Sequence, residues 1–138
     1  MRDSTVREFL GSRDKLRVYK GDRLLFASSR ERLLPLLEYT DTCTPHEHGI
    51  TVLDRVIGNA AALLLARVSC TEAFGELGSE LAAHTLEGLD ISYRFGRTVP
   101  FIQNNRRDGM CPMEELSLGK TPEEFYQALR ERISGGQG

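Results

Sequence analysis

No apolar run in this sequence approaches the ~20 residues of a membrane span. The opening MRDSTVREFL lacks the apolar core of a signal peptide. Nor is there an excess of charge: 18 basic against 20 acidic residues leave a formal −2, no footprint for nucleic acid or for an anionic membrane surface. The three cysteines, Cys43, Cys70 and Cys111, are odd in number and far apart. That excludes a structural disulfide framework and fits a reducing compartment. A cytoplasmic chain with no nucleic-acid and no membrane partner is therefore expected; its oligomeric state is left open. No repeat or linker divides it, and 138 residues at 40% hydrophobic content make one ordinary domain, expected over residues 1–133 with a disordered tail over 134–138.

What is present centres on Thr51–Val68, TVLDRVIGNAAALLLARV. The stretch reads as one helix, polar at its start and apolar nearly all round from Ala60 to Ala66, the pattern of an element buried between layers. Thr51 and Asp54 have the spacing of a capping box. On that reading Asp54, Gly58, Ala61, Ala62 and Leu65 share one face, small in volume beneath a single carboxylate.

In chain order, Thr5 to Glu8 is a second box and opens a short helix that Gly11 ends. Two apolar runs, Leu16–Tyr19 and Leu24–Ala27, flank the turn Lys20-Gly21-Asp22-Arg23 and predict a hairpin. Ser28 or Ser29 is expected to cap a helix running to about Tyr39, with Pro35 in its first turns. Thr40–Ile50 is a polar loop. Its Cys43, His46 and His48 match no common zinc spacing and lack a fourth ligand, so no metal site is read there and no cofactor is expected.

Beyond the central stretch, Thr71–Glu76 predicts a short strand, and Gly75 and Gly78 bound a turn into a helix over Ser79–Glu87, with His84 a surface residue and Gly88 at its end. Ile91–Phe95 predicts a strand and Val99–Ile102 a second extended run broken by Pro100. Thr121-Pro122-Glu123-Glu124 opens a last helix through Ile133. The economical packing of this order is a three-layer α/β/α sandwich around a mixed sheet of four or five strands.

Asn104–Glu114, NNRRDGMCPME, carries the densest chemistry. Pro112 suits N1 of a helix, Glu114 suits N3, and Cys111 then takes the N-cap. Serine or aspartate caps better; a thiol at a helix start behind Arg106 and Arg107 is a site for a nucleophile, while burial as an inert core cysteine is the competing reading. Cys70 reads as core.

Three segments, D-R-V-I-G-N-A-A-A-L-L-L from Asp54, V-P-F-I-Q-N from Val99 and D-G-M-C-P-M-E from Asp108, together resemble a small prokaryotic domain family of unknown function. Y-K-G at Tyr19–Gly21, Ser28 and P-L-L at Pro35–Leu37 extend the likeness over nearly the whole chain. Arg32 stands where that family's glycine is expected, and Asn105 where a basic residue is, with Arg106 beside it. The resemblance implies a cytidine-deaminase-like fold and no particular activity. A zinc deaminase needs His or Cys followed by Glu at one helix start and P-C-x-x-C at the next; the sequence offers Asp54 at the first place and Gly78-Ser79-Glu80-Leu81 at the second, so hydrolytic deamination is not expected. What remains is a pocket for a small polar or anionic metabolite, a nucleotide among the candidates, at helix N-termini. Its candidate ligand contacts are Gly58, Asn59, Asn104, Arg106 and Glu114. The alternative is a thiol-dependent enzyme or sulfur carrier with Cys111 as nucleophile and Asp54 or Asp108 as base or orienting acid. Which reaction the protein performs, if any, is not written in the sequence.

Overall fold

The computed structural model of the chain describes residues 1–135. Its elements are α1 (Asp3–Leu10), β1 (Leu16–Lys20), β2 (Arg23–Ser28), α2 (Leu34–Thr42), β3 (Ile50–Ile57), α3 (Asn59–Arg67), β4 (Cys70–Ser79), α4 (Glu80–Gly88), β5 (Ser92–Val99), α5 (Pro112–Ser117) and α6 (Pro122–Gly135). Of the tail expected over 134–138, Ser134 and Gly135 continue α6 and the rest lies outside the described residues. No described helix is long and apolar enough to cross a membrane.

The strands form one open mixed sheet in the order β2-β1-β3-β4-β5. β1 pairs antiparallel with β2 and with β3, whereas β3, β4 and β5 run parallel through the crossover helices α3 and α4. On one face a large core joins Val18, Val52 and Ala73 of the sheet to Leu36 of α2, Leu64 of α3, Leu86 of α4 and Phe125 of α6. On the other, α1 alone lays Val6 and Phe9 against Leu53 and Phe74. This is the expected α/β/α layering, with one layer much the thinner.

The central stretch is not a single helix. Thr51–Ile57 lies in β3 and the helix begins only at Asn59. Both faces of β3 are covered, so the strand carries apolar residues on both sides and loses the alternation that marks half-buried strands. Its β-branched residues Ile50, Thr51, Val52, Val56 and Ile57 favour the extended chain. The Thr51–Asp54 spacing therefore caps nothing, and Asp54 does not share a helix face with Gly58. Gly58 is instead the N-cap residue of α3.

Other boundaries shift for local reasons. α1 starts at Asp3, with no side-chain cap from Thr5. α2 starts at Leu34, with Leu33 at its N-cap and Pro35 in its first turn, because Ser28 belongs to β2. β4 runs through Gly75 and Gly78 to Ser79, so those glycines make no turn. They admit side chains: a Cβ at Gly78 would lie 2.2 Å from the Phe95 ring, and one at Gly75 3.0 Å from Ile57. Ser79 caps α4 by accepting from the Ala82 amide at 3.0 Å. Of the two extended runs expected after Gly88, the first lies in β5, which continues to Val99, and residues 100–102 of the second lie beyond the strand. α6 begins as expected, with Thr121 and Glu124 exchanging hydrogen bonds of 2.9 and 3.1 Å. Arg32 adopts φ +61°, the left-handed region where glycine is unstrained.

Candidate functional site

In open α/β sheets ligands meet the carboxyl ends of the strands. Here that edge is built from the start of α3 after β3, the start of α4 after β4, and the connection from β5 to α5.

Asp54 lies within β3, 7% exposed. Its register opposite Leu16 and its even spacing from Ile50 and Val52 put it on the face covered by the larger core. The carboxylate has no cationic partner among the described residues, and the Val56 amide reaches it at a long 3.4 Å. Burial pushes its pKa up from 3.8 to about 7, with the Val56 and Arg55 amides pulling back. The next residue points the other way. Arg55 donates to the carbonyls of Phe9, Ser12 and Asp14 at 2.9–3.1 Å, pairs with Glu76 at 3.2 Å and stacks over the Phe9 ring at 4.6 Å, pinning α1 to the sheet.

Gly58, Asn59 and Glu114 come together. Glu114, 2% exposed, reaches from α5 to accept the Asn59 amide at 2.5 Å and the Ile102 amide at 2.8 Å. A Cβ on Gly58 would stand 2.8 Å from Glu114 Oε1 and 2.9 Å from Ile102, so glycine is what permits the contact. The Asn59 side chain donates to Ser117 Oγ at 3.0 Å and accepts from Thr85 Oγ1, which ties α3, α4 and α5 into one buried polar network. The chain's own acid thus occupies the N-terminus of α3, the place where an incoming anion was expected. Ser79 similarly fills the start of α4.

Asn104 and Asp108 also meet, but only each other. The segment Ile102–Cys111 closes as a small hairpin: Asn104 N donates to Gly109 O at 2.9 Å, Cys111 N to Ile102 O at 2.8 Å, and Asn104 Nδ2 to Asp108 at 2.8 Å. Arg106 is exposed near its tip. Cys111 is the N-cap residue of α5 and half-buried, and its thiol has no hydrogen-bond partner among the described residues. Asp54 is therefore held in β3, while Arg106 and Cys111 sit near the tip and at the base of the hairpin.

Among the described residues no group of three or more His, Cys, Asp or Glu side chains is placed to hold a metal. His46 Nε2 contacts the Thr40 carbonyl at 2.9 Å and its ring stacks on Tyr39. Two recesses, of about 200 and 80 Å³, flank Met1 beside α1, one lined by Tyr19 and Thr51 and the other by Glu72 and Arg94. Neither is lined by a candidate ligand-binding or catalytic residue. Sequence reasoning missed Thr85, Ser117 and Ile102, which carry no local signal. Ser117 is the nearest to legible, as a polar residue inside an otherwise ordinary short helix.

These features define an open mixed-sheet α/β domain in which both crossover helices begin on caps supplied by the chain itself. Residues 5–133 match the model of a domain of unknown function, DUF1893, and the chain belongs to that family. The crystal structure of a DUF1893 family protein from Thermotoga maritima is similar, with a TM-score of 0.85 and 25% identity over 94% of this chain and 87% of that one. Among curated proteins none matches.

Proposed function

We propose that this domain is a binding module of cytidine-deaminase-like architecture that holds a small polar metabolite against Asp54, toward the carboxyl half of β3, without attacking it. The observation that carries the reading is Asp54. A buried carboxylate with no cationic partner among the described residues, met by only the Val56 and Arg55 amides, is costly to keep, and a ligand's N–H donors would add to what the fold supplies. The start of α3 is taken by Glu114, which shifts the preferred contact there from an anion to a donor. This favours polar ligands such as nucleosides over simple anions at that point.

The zinc centre of the deaminases does not fit these residues. With β3 ending at Ile57, the first helix start reads Gly58-Asn59-Ala60 and not Asp54, and the second reads Ser79-Glu80-Leu81. Neither offers a His or Cys ligand, and no hydrolytic step is drawn. For the thiol alternative, no base hydrogen-bonds the Cys111 thiol among the described residues, as activation of a nucleophile requires.

Mass spectrometry of the protein as purified, under native and then denaturing conditions, tests the reading. The expected result is a retained polar metabolite that the Asp54→Asn variant fails to hold. Equal retention by a folded Asp54→Asn variant, or no ligand in the native protein and none from a metabolite thermal-shift screen, overturns it. Rapid alkylation of Cys111 blocked by the same metabolite would instead favour the thiol reading.

A further inference from the structure

The sheet has two free edges, β2 and β5, and an open edge is a row of unpaired amides and carbonyls ready to accept another strand. β2 is guarded. It is six residues long, and its pairing with β1 slips between Val18 and Tyr19, leaving Leu25 with no partner in register. A bulge of this kind twists an edge away from a second strand. β5 has no such slip. Its eight residues follow β4 in one parallel register, and among the described residues no backbone group of Ser92–Val99 bonds to anything but β4.

What flanks that edge is complementary to itself. On the α4 side Tyr93 and Phe95 stand half-buried with ring centroids 4.9 Å apart. The Tyr93 hydroxyl donates to Glu87, which has no cationic partner among the described residues. Arg97 is exposed and likewise unpaired there, whereas Arg94 is held by Asp3 at 3.1 Å. A two-fold axis perpendicular to a sheet sets an edge strand antiparallel to its own copy, with opposite residues on the same face. Centring that axis on Arg94 or Arg97 would put like charges directly opposite, which is destabilising. Centring it on Phe95 puts Phe95 against its copy, Arg94 against Gly96, Ser92 against Thr98, and Arg97 against Tyr93, beside the free Glu87 carboxylate. In that register rings meet at the axis, and each unpaired arginine meets an aromatic face and an acid.

We propose that β5 is the seam of a homodimer, in which two copies of this chain pair antiparallel about Phe95 and merge their five-stranded sheets into one. A second copy is the occupant that fits. The only charges of the strand are two arginines, and the acid that answers Arg97 is Glu87 of the same sequence, already in place against Tyr93. Asp54 lies two strands away in β3, so the seam stands or falls apart from the binding reading.

Sedimentation equilibrium of the full chain tests the seam. The expected result is a monomer–dimer equilibrium with no higher species, since pairing uses up the edge. S92K/T98K sets lysine opposite lysine at both ends of the seam and should weaken association at least tenfold. S92E/T98K sets glutamate opposite lysine at the same exposed positions and should restore it. R97E, which sets acid against Glu87, should weaken association as the double lysine does. Unchanged far-ultraviolet circular dichroism checks that each variant folds, and Ala27→Lys on the exposed side of β2 should change nothing. A chain monomeric at every concentration, equal association by the two double variants, or a dimer lost with Ala27→Lys would each overturn the proposal.

Discussion

Asp54 sits in β3 with no cationic partner among the described residues, and the cost of that arrangement depends on pH. Its folded pKa of about 7 lies above the ordinary carboxylate value of 3.8, so between those two the native state keeps a proton that the unfolded chain releases. Stability is therefore full below about pH 4 as far as this group is concerned, falls as pH rises toward 7, and levels off above it. The amplitude is at most about 4 kcal/mol at about 1.4 kcal/mol per pKa unit. Urea unfolding at pH 5 and pH 8.5 should show Asp54→Asn more stable than the native protein at the higher pH and without the slope; a variant no more stable at pH 8.5 means the carboxylate has a partner in solution. Gly58 makes the opposite case, where a side chain is the problem. Gly58→Ala places a Cβ 2.8 Å from Glu114 Oε1 and 2.9 Å from Ile102, and overpacking of this kind costs about 1–3 kcal/mol. An unchanged melting temperature for that variant would mean that Glu114 leaves the α3 terminus freely.

Between elements, single side chains act as ties. Arg55 holds the end of α1 through three carbonyls and the Phe9 ring. Hydrogen bonds from a charged donor contribute about 1.5–3 kcal/mol each at most, so Arg55→Met should destabilise by about 2–3 kcal/mol, with faster amide exchange concentrated in α1. Exchange that quickens evenly over the whole chain would show that α1 is not a separable unit. Elements with local punctuation were legible in the sequence: the hairpin through its turn, α5 through Pro112, and α6 through its Thr121–Glu124 box. β3 was not. Covered on both sides, it presents the same continuous apolar run as a buried helix, and the chance T-x-x-D spacing completed the disguise. Gly75 and Gly78 misled for a related reason, since a turn glycine and a glycine that admits Ile57 or the Phe95 ring look alike until the neighbour is known. In the candidate site, Gly58 and Asn59 were picked out, but their link to Glu114 spans 55 positions, and no spacing rule reaches that far.

For the molecule as a whole, the two faces of the sheet are unequally protected. One is buried beneath the packed layer of α2, α3, α4 and α6 around Leu64 and Phe125, the other beneath a single eight-residue helix that contributes Val6 and Phe9. Opening free energies follow buried contacts, so native-state hydrogen exchange should find α1 released at lower free energy than α3. Identical opening free energies for the two would make the layers one cooperative unit. Release of α1 leaves Leu53 and Phe74, neighbours in register on adjacent strands, bare at the middle of a sheet that is already open at β2 and β5. Such a surface joins to copies of itself. Heating should therefore bring concentration-dependent turbidity while the helical layer is still intact, making shelf life a property of the thin cover more than of the main core.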